Sequence, residues 1–272
     1  MGVILGRGDE AKEAIKNQGG GLDLKKAFVR LKAGESRKVR VLSARDYVAY
    51  KGHTHFTNGI FTQPCIHVAG ERCLLCEAAN YEGELVGGLI GTTKTQQGET
   101  VSEWAGMYAK KRVLFAFVDL EEGAKDDDGN PEGMLRVFDA TKNQSDNLIA
   151  NIDDYADELE DVAFTLKRTG EKNETTYSLN PIMPKKMTEV QATFDKWDGK
   201  EVPDKTFEQA LQERTTEEQA KELQKAGFPV KDALGYEITE VAKDNESESE
   251  GDKNEDAGEP IDEGEDDPTK DF

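Results

Sequence analysis

Every cysteine and every histidine of this 272-residue chain falls between His53 and Cys76, in the stretch HTHFTNGIFTQPCIHVAGERCLLC. Thiolates and imidazoles at such density are the donors of structural zinc, which takes four of them in a tetrahedron. Three cysteines and three histidines allow a single site of three sulfurs and one nitrogen. Cys73-Leu74-Leu75-Cys76 is a C-x-x-C knuckle whose turn aims two thiolates at one point. Cys65 lies upstream across a loop containing Gly70. The fourth donor is His53, His55 or His67. His67 is nearest in sequence, as C-x-H. His53 and His55 share one face of a strand over 47–56, so periodicity does not separate them. A redox C-x-x-C belongs instead in a strand–motif–helix context without clustered histidines. The odd cysteine count argues against a disulfide framework, and so few cysteines in a long chain suit a reducing compartment.

Charge is the second constraint. The chain carries 56 Asp+Glu against 35 Lys+Arg, a net charge of −21. The excess is uneven. Residues 240–272 hold 15 acidic and 3 basic residues, whereas residues 21–118 hold 9 acidic and 14 basic ones. An acidic tail on a body that handles an anion fits this polarity. No apolar run approaches a membrane span. Met1–Leu5 is too short for a signal peptide, so a soluble, intracellular protein is expected.

Taken in order, residues 1–21 read as a flexible N-terminal arm ending in Gly19-Gly20-Gly21. Residues 22–185 read as the core, with a zinc lobe at about 53–80. Lys38–Leu42 alternates apolar and basic, as a strand with one wet cationic face does. A short helix is expected over 77–85 and a buried strand over 113–118, led by Lys110-Lys111-Arg112. Strands over 134–138, 162–167 and 175–179 follow, with a helix over 145–154. About six short strands with few helices fit a small oligonucleotide-binding (OB) barrel. Residues 186–239 read as a helical C-terminal part, with amphipathic helices over 204–228. Residues 240–272 are too charged and too poor in apolar groups to offset their ordering entropy, so a disordered tail is expected. Its last residue, Phe272, is a lone aromatic after carboxylates. With Asp266, Asp267 and Asp271 it suits docking on a partner.

Aromatics interleaved with Lys and Arg suit a single-stranded nucleic acid: cations meet phosphates and rings stack on bases. The phosphate candidates are Lys38, Arg40, Arg45, Lys51, Lys94, Lys110, Lys111, Arg112, Arg136 and Lys142. The stacking candidates are Tyr47, Tyr50, Trp104, Tyr108, Phe115 and Phe138, of which Phe115 is the one alternation most readily turns inward. No catalytic group is expected. Histidines occur only in the zinc stretch, and no serine sits in a recognisable elbow.

Three pieces together resemble the zinc-containing single-stranded DNA-binding proteins of tailed phages, of the T-even helix-destabilising type. They are Cys65…Cys73-Leu74-Leu75-Cys76 with a histidine upstream, Lys110-Lys111-Arg112 before the strand 113–118, and the acidic tail. The Asp271-Phe272 ending is closer to the T7-type proteins. The resemblance spans roughly residues 20–165 by order of elements. It implies a mainly β fold with some α: a five-stranded Greek-key OB barrel with an inserted zinc lobe, C-terminal helices and a disordered tail. It also implies one structural Zn²⁺ with His53 as the fourth ligand, twelve residues before Cys65. The implied function is sequence-independent binding of single-stranded DNA in phage replication, recombination and repair. Implied partners are polymerase, helicase–primase or loader, met through the tail in the cytoplasm of the infected cell, with self-association as a further possibility.

Overall fold

The fold is that of a computed structural model, which describes residues 24–81, 90–95, 97–171 and 174–239. The expected arm, 1–21, and the expected tail, 240–272 with Asp266, Asp267, Asp271 and Phe272, lie outside the described residues. The helix expected over 77–85 instead spans Leu74–Ala79 and is capped at Asn80, and residues 82–85 lie outside the described residues.

The protein is mainly β with some α. Seven strands form one antiparallel sheet: β1 (Ser36–Arg40), β2 (Tyr47–His55), β3 (Ile60–Pro64), β6 (Lys110–Asp119), β7 (Met134–Thr141), β8 (Phe164–Thr169) and β9 (Thr176–Pro181). A separate hairpin pairs β4 (Thr92–Lys94) with β5 (Thr100–Ser102). The expected strands are all present, but β3 and the β4–β5 hairpin were not foreseen. β3 is short and ends on Pro64, and β4 and β5 are polar, so neither shows an apolar pattern.

β6 is the axis of the sheet. β7 occupies one of its edges from Arg112 to Asp119. The other edge is shared end to end by β2, opposite 110–115, and β1, opposite Val118 and Asp119. β1 also pairs with β8, and β8 with β9. The run Val113–Val118 is apolar throughout because both faces of β6 are covered, unlike a half-solvated strand. Phe115 and Phe117 enter the main sheet cluster with Val39, Val41, Phe138, Phe164, Leu166 and Leu179. Leu114 faces the other way, into Val137, Val48 and Phe207.

The helix that follows β7 explains how the sheet is finished. Among the described residues no ladder joins β7 to β9. The helix Lys142–Asp154 packs against β9, β7 and β6, and buries Leu148 and Ile152 in the main cluster. It starts three residues earlier than its apolar pattern suggests, because Gln144 accepts the backbone N–H of Thr141 at 3.1 Å. Such a capping box satisfies donors that the first turn leaves without partners.

The C-terminal helices then return across the molecule. Thr216–Lys225 is capped by Thr215 and Glu218 in the same way. Its Ala220 and Leu223, with Phe228 and Val230, pack onto Leu74, Leu75, Ile60 and Trp104. The cysteine stretch and the C-terminal helices thus share one apolar cluster. Each fully buried Leu or Phe there contributes about 1.5–3 kcal/mol over exposure.

Candidate metal centre and its flanking cationic ladder

β2 delivers His53 to the end of the sheet, and the β2–β3 hairpin turns back so that His53 pairs with Gln63. Cys65 then donates its N–H to the Lys51 carbonyl at 2.8 Å, which holds it beside β2. Cys73 caps the helix Leu74–Ala79, and Cys76 lies in its first turn. The Leu74 N–H at the knuckle is accepted by the side-chain oxygen of Gln219, 2.9 Å away on the C-terminal helix.

These four residues converge. His53, Cys65, Cys73 and Cys76 present donor atoms that all lie within 4.8 Å of one another. Cys65 Sγ and Cys76 Sγ are 3.4 Å apart. His53 Nε2 stands 3.4 Å from Cys73 Sγ and 3.5 Å from Cys76 Sγ. A tetrahedron with metal–sulfur bonds near 2.3 Å has edges of about 3.5–3.8 Å, so the donor set is sized for one ion. The other imidazole nitrogen, Nδ1, donates to the Met107 carbonyl at 2.8 Å, which leaves Nε2 as a lone-pair donor toward the sulfurs. A ligating histidine is ordinarily held by such a bond. His53, Cys65 and Cys73 are buried and Cys76 is half-buried.

Electrostatics agree with a cationic occupant. The neighbouring Cys76 thiol, and after it the His53 imidazole, hold the Cys73 thiol far below its ordinary value. Cys73 in turn pushes Cys76 far up, with burial adding to the effect. Sulfurs this close do not ionise together unless a positive charge sits among them.

The other two histidines are elsewhere. His55 donates from Nε2 to the Glu103 carbonyl at 3.0 Å and stacks on Trp104, with ring centroids 5.2 Å apart. His67 lies exposed in the 66–69 turn. The nearer spacing, Cys65-x-His67, is therefore not the one the fold uses.

The residues expected to meet nucleic acid divide sharply. Arg40 is buried over the Phe194 ring and paired with Asp198 at 2.7 Å. Arg112 is buried and paired with Asp139 at 3.0 Å, and the Tyr50 hydroxyl donates to the same carboxylate at 2.9 Å. Arg136 holds the fully buried Asp119 at 3.2 Å, and Lys38 holds Glu189 at 2.6 Å. Each of these cations neutralises an acid of the fold. Trp104, Phe115 and Phe138 are core residues, 2%, 0% and 3% exposed, so their rings are not available for stacking. Tyr108 is half-buried against the cysteine cluster. Alternation singles out Phe115 among these rings, and not Phe138, because both faces of β6 are covered and the partner strand closes over Phe138 as well.

Lys51, Lys111, Arg45, Lys94 and Lys142 are exposed, and Lys110 and Tyr47 half-buried. Lys51 and Lys111 are direct partners across β2–β6, on the face that carries Tyr47–Phe115 and Ala49–Val113. Lys142 follows Thr141, the partner of Arg112, at the same end of the ladder. The sequence holds no Asp or Glu between Asp46 and Glu71, nor between Glu103 and Asp119. The sheet pairs these two acid-free stretches with each other. Read together with a strand assignment, their absence of acids was the signal that could have separated Lys51 and Lys111 from the other cations.

No family model matches the chain, and comparison with curated proteins and with solved structures gives no match either. No helix among the described residues is long and apolar enough to cross a membrane.

Proposed function

We propose that this protein binds single-stranded DNA without regard to sequence, as the phage proteins it resembles do, and that zinc at His53, Cys65, Cys73 and Cys76 braces the binding surface. The observation that carries this reading is the pair Lys51–Lys111. Like charges set directly opposite across a ladder destabilise a sheet unless an anion lies between or over them. Here they stand on two paired strands whose own stretches of sequence carry no Asp or Glu, in a chain whose net charge is −21. A phosphate backbone is the anion that such a strip of lysines fits, with bases free to meet neighbouring rings.

The strand pairing supports the barrel reading. If β1 and β2 count as one bent strand, the ladders β1/β2–β6, β6–β7, β1–β8 and β8–β9 are those of an OB barrel, with a helix in place of the last ladder. Three sulfurs and an imidazole favour zinc over harder cations and fill a four-coordinate centre. That supports a structural role and a binder rather than an enzyme. Residues 240–272 are assigned to recruitment of replication proteins, with Phe272 as the anchor.

A salt titration of oligothymidylate binding tests the proposal. Affinity should fall steeply and log-linearly with salt, as counterion release requires. An oligonucleotide that fails to bind even in dilute buffer would overturn it.

A further inference from the structure

The largest exposed aromatic among the described residues is Phe61, 65% exposed on β3. It stands on the outermost strand of the sheet, next to the tip of the β2–β3 hairpin. Phe56, across that tip, meets it edge to face with ring centroids 6.0 Å apart. A single exposed ring is ordinary, whereas adjoining apolar groups at a surface mark a binding site, and Phe61 adjoins Phe56. Here the surrounding chain is polar and uncharged, Thr54, Thr57, Asn58 and Thr62, and contains no carboxylate from Tyr47 to Gly70.

The hairpin that carries these rings is fastened on every side. The Thr54 and Thr62 hydroxyls meet at 2.9 Å across its legs. Gly59 closes the tip with φ 76°, a left-handed conformation that glycine takes without strain. The two legs end in His53 and Cys65, both donors of the metal centre. Gln63 donates to Glu222 and ties the returning leg to the C-terminal helix. An ion in the centre therefore closes the base of the hairpin. On β2, Lys51 lies two residues before His53 and faces Lys111.

We infer that Phe61, with Phe56 behind it, is a stacking platform for an unpaired nucleobase, which the metal centre holds in register with the Lys51–Lys111 pair. The inference rests on the single-strand-binding reading. Phosphates lie on the lysines, and a base along the strand stacks on the free face of Phe61. The metal acts here by positioning the hairpin.

Measurements on the full, metal-loaded chain test it. Phe61→Ala should weaken oligothymidylate binding by about tenfold, within the range that loss of one base–aromatic stack produces. Its salt dependence should stay that of the wild type, since no phosphate contact is lost. Phe61→Trp should bind like the wild type and show emission quenched by the oligonucleotide. Circular dichroism should show both variants folded, as expected for an exposed position. If the wild type binds while Phe61→Ala binds equally well and the new tryptophan is unquenched, the platform is wrong and the lysine strip stands. If the wild type does not bind, both fall.

Discussion

His53 donates through Nδ1 to the carbonyl of Met107 at 2.8 Å, and this one bond decides which nitrogen faces the three sulfurs. It also joins the hairpin to the turn 105–107 just ahead of β6, so the ligand is oriented by the sheet that lies beside it.

His53→Ala should remove a ligand and its anchor together. Metal content should drop well below one ion per chain, and the emission of Trp104 should shift to the red as the cluster around Leu74, Leu223 and Phe228 opens. His67→Ala should retain the metal, because His67 is exposed and outside the donor set. Metal analysis of the two purified variants separates these outcomes. Chelation of the wild type should reproduce the His53→Ala spectrum.

Replacing Lys51 and Lys111 by alanine together should weaken oligothymidylate binding and lower the slope of log affinity against log salt by about 1.4, two single-strand contacts' worth. Stability should hold or rise by a few tenths of a kcal/mol, because a repulsive cross-strand pair is lost. An unchanged slope would remove both lysines from the binding surface.

Asp139→Ala should be far more damaging to the fold than either lysine change. It leaves the buried Arg112 without its counter-charge and the Tyr50 hydroxyl without its acceptor. Loss of one partner of a buried pair costs about 3–5 kcal/mol. Urea unfolding reads this directly, and a cost below 1 kcal/mol would show that the network is not intact in solution.

Burial pushes the Asp46 carboxyl up to about 6, against a hydrogen bond from the Ser43 backbone and with Glu201 adding to the rise. One of its oxygens has no hydrogen-bond partner among the described residues. A group whose folded value is raised contributes most below its unfolded value of 3.8, and its contribution fades as pH rises through about 6. Asp46→Asn should therefore unfold at a higher temperature than the wild type at pH 7, with the gap closing toward pH 4. A constant gap across that range would place the effect elsewhere.

Much of this architecture was written in local pattern. Val113–Val118 announced a buried strand, and Leu148, Ile149 and Ile152 a helix face. The cysteine spacing announced one four-donor centre, with three histidines eligible for the last place. What local pattern did not contain is which partner each charge meets. Arg40 and Asp198 are far apart in the chain and adjacent in space, as are Arg136 and Asp119 once β6 and β7 pair. Arginines that look like phosphate ligands in a strand are here consumed by the fold's own acids. Trp104 is hidden by Phe228, a residue more than a hundred positions later. The ladder Lys51–Lys111, on two stretches of sequence without Asp or Glu, is what sets these two cations apart from the others.

The apolar cluster that walls the four donors draws on Phe228 and Val230, and Gln219 accepts the N–H of Leu74 at the knuckle. During synthesis the chain exposes Cys73 and Cys76 long before those residues leave the ribosome. The wall around the four donors is thus finished late, by the C-terminal helices among the described residues. A nascent chain halted before residue 216 should surrender its metal readily to competing thiols, whereas the completed protein should guard it.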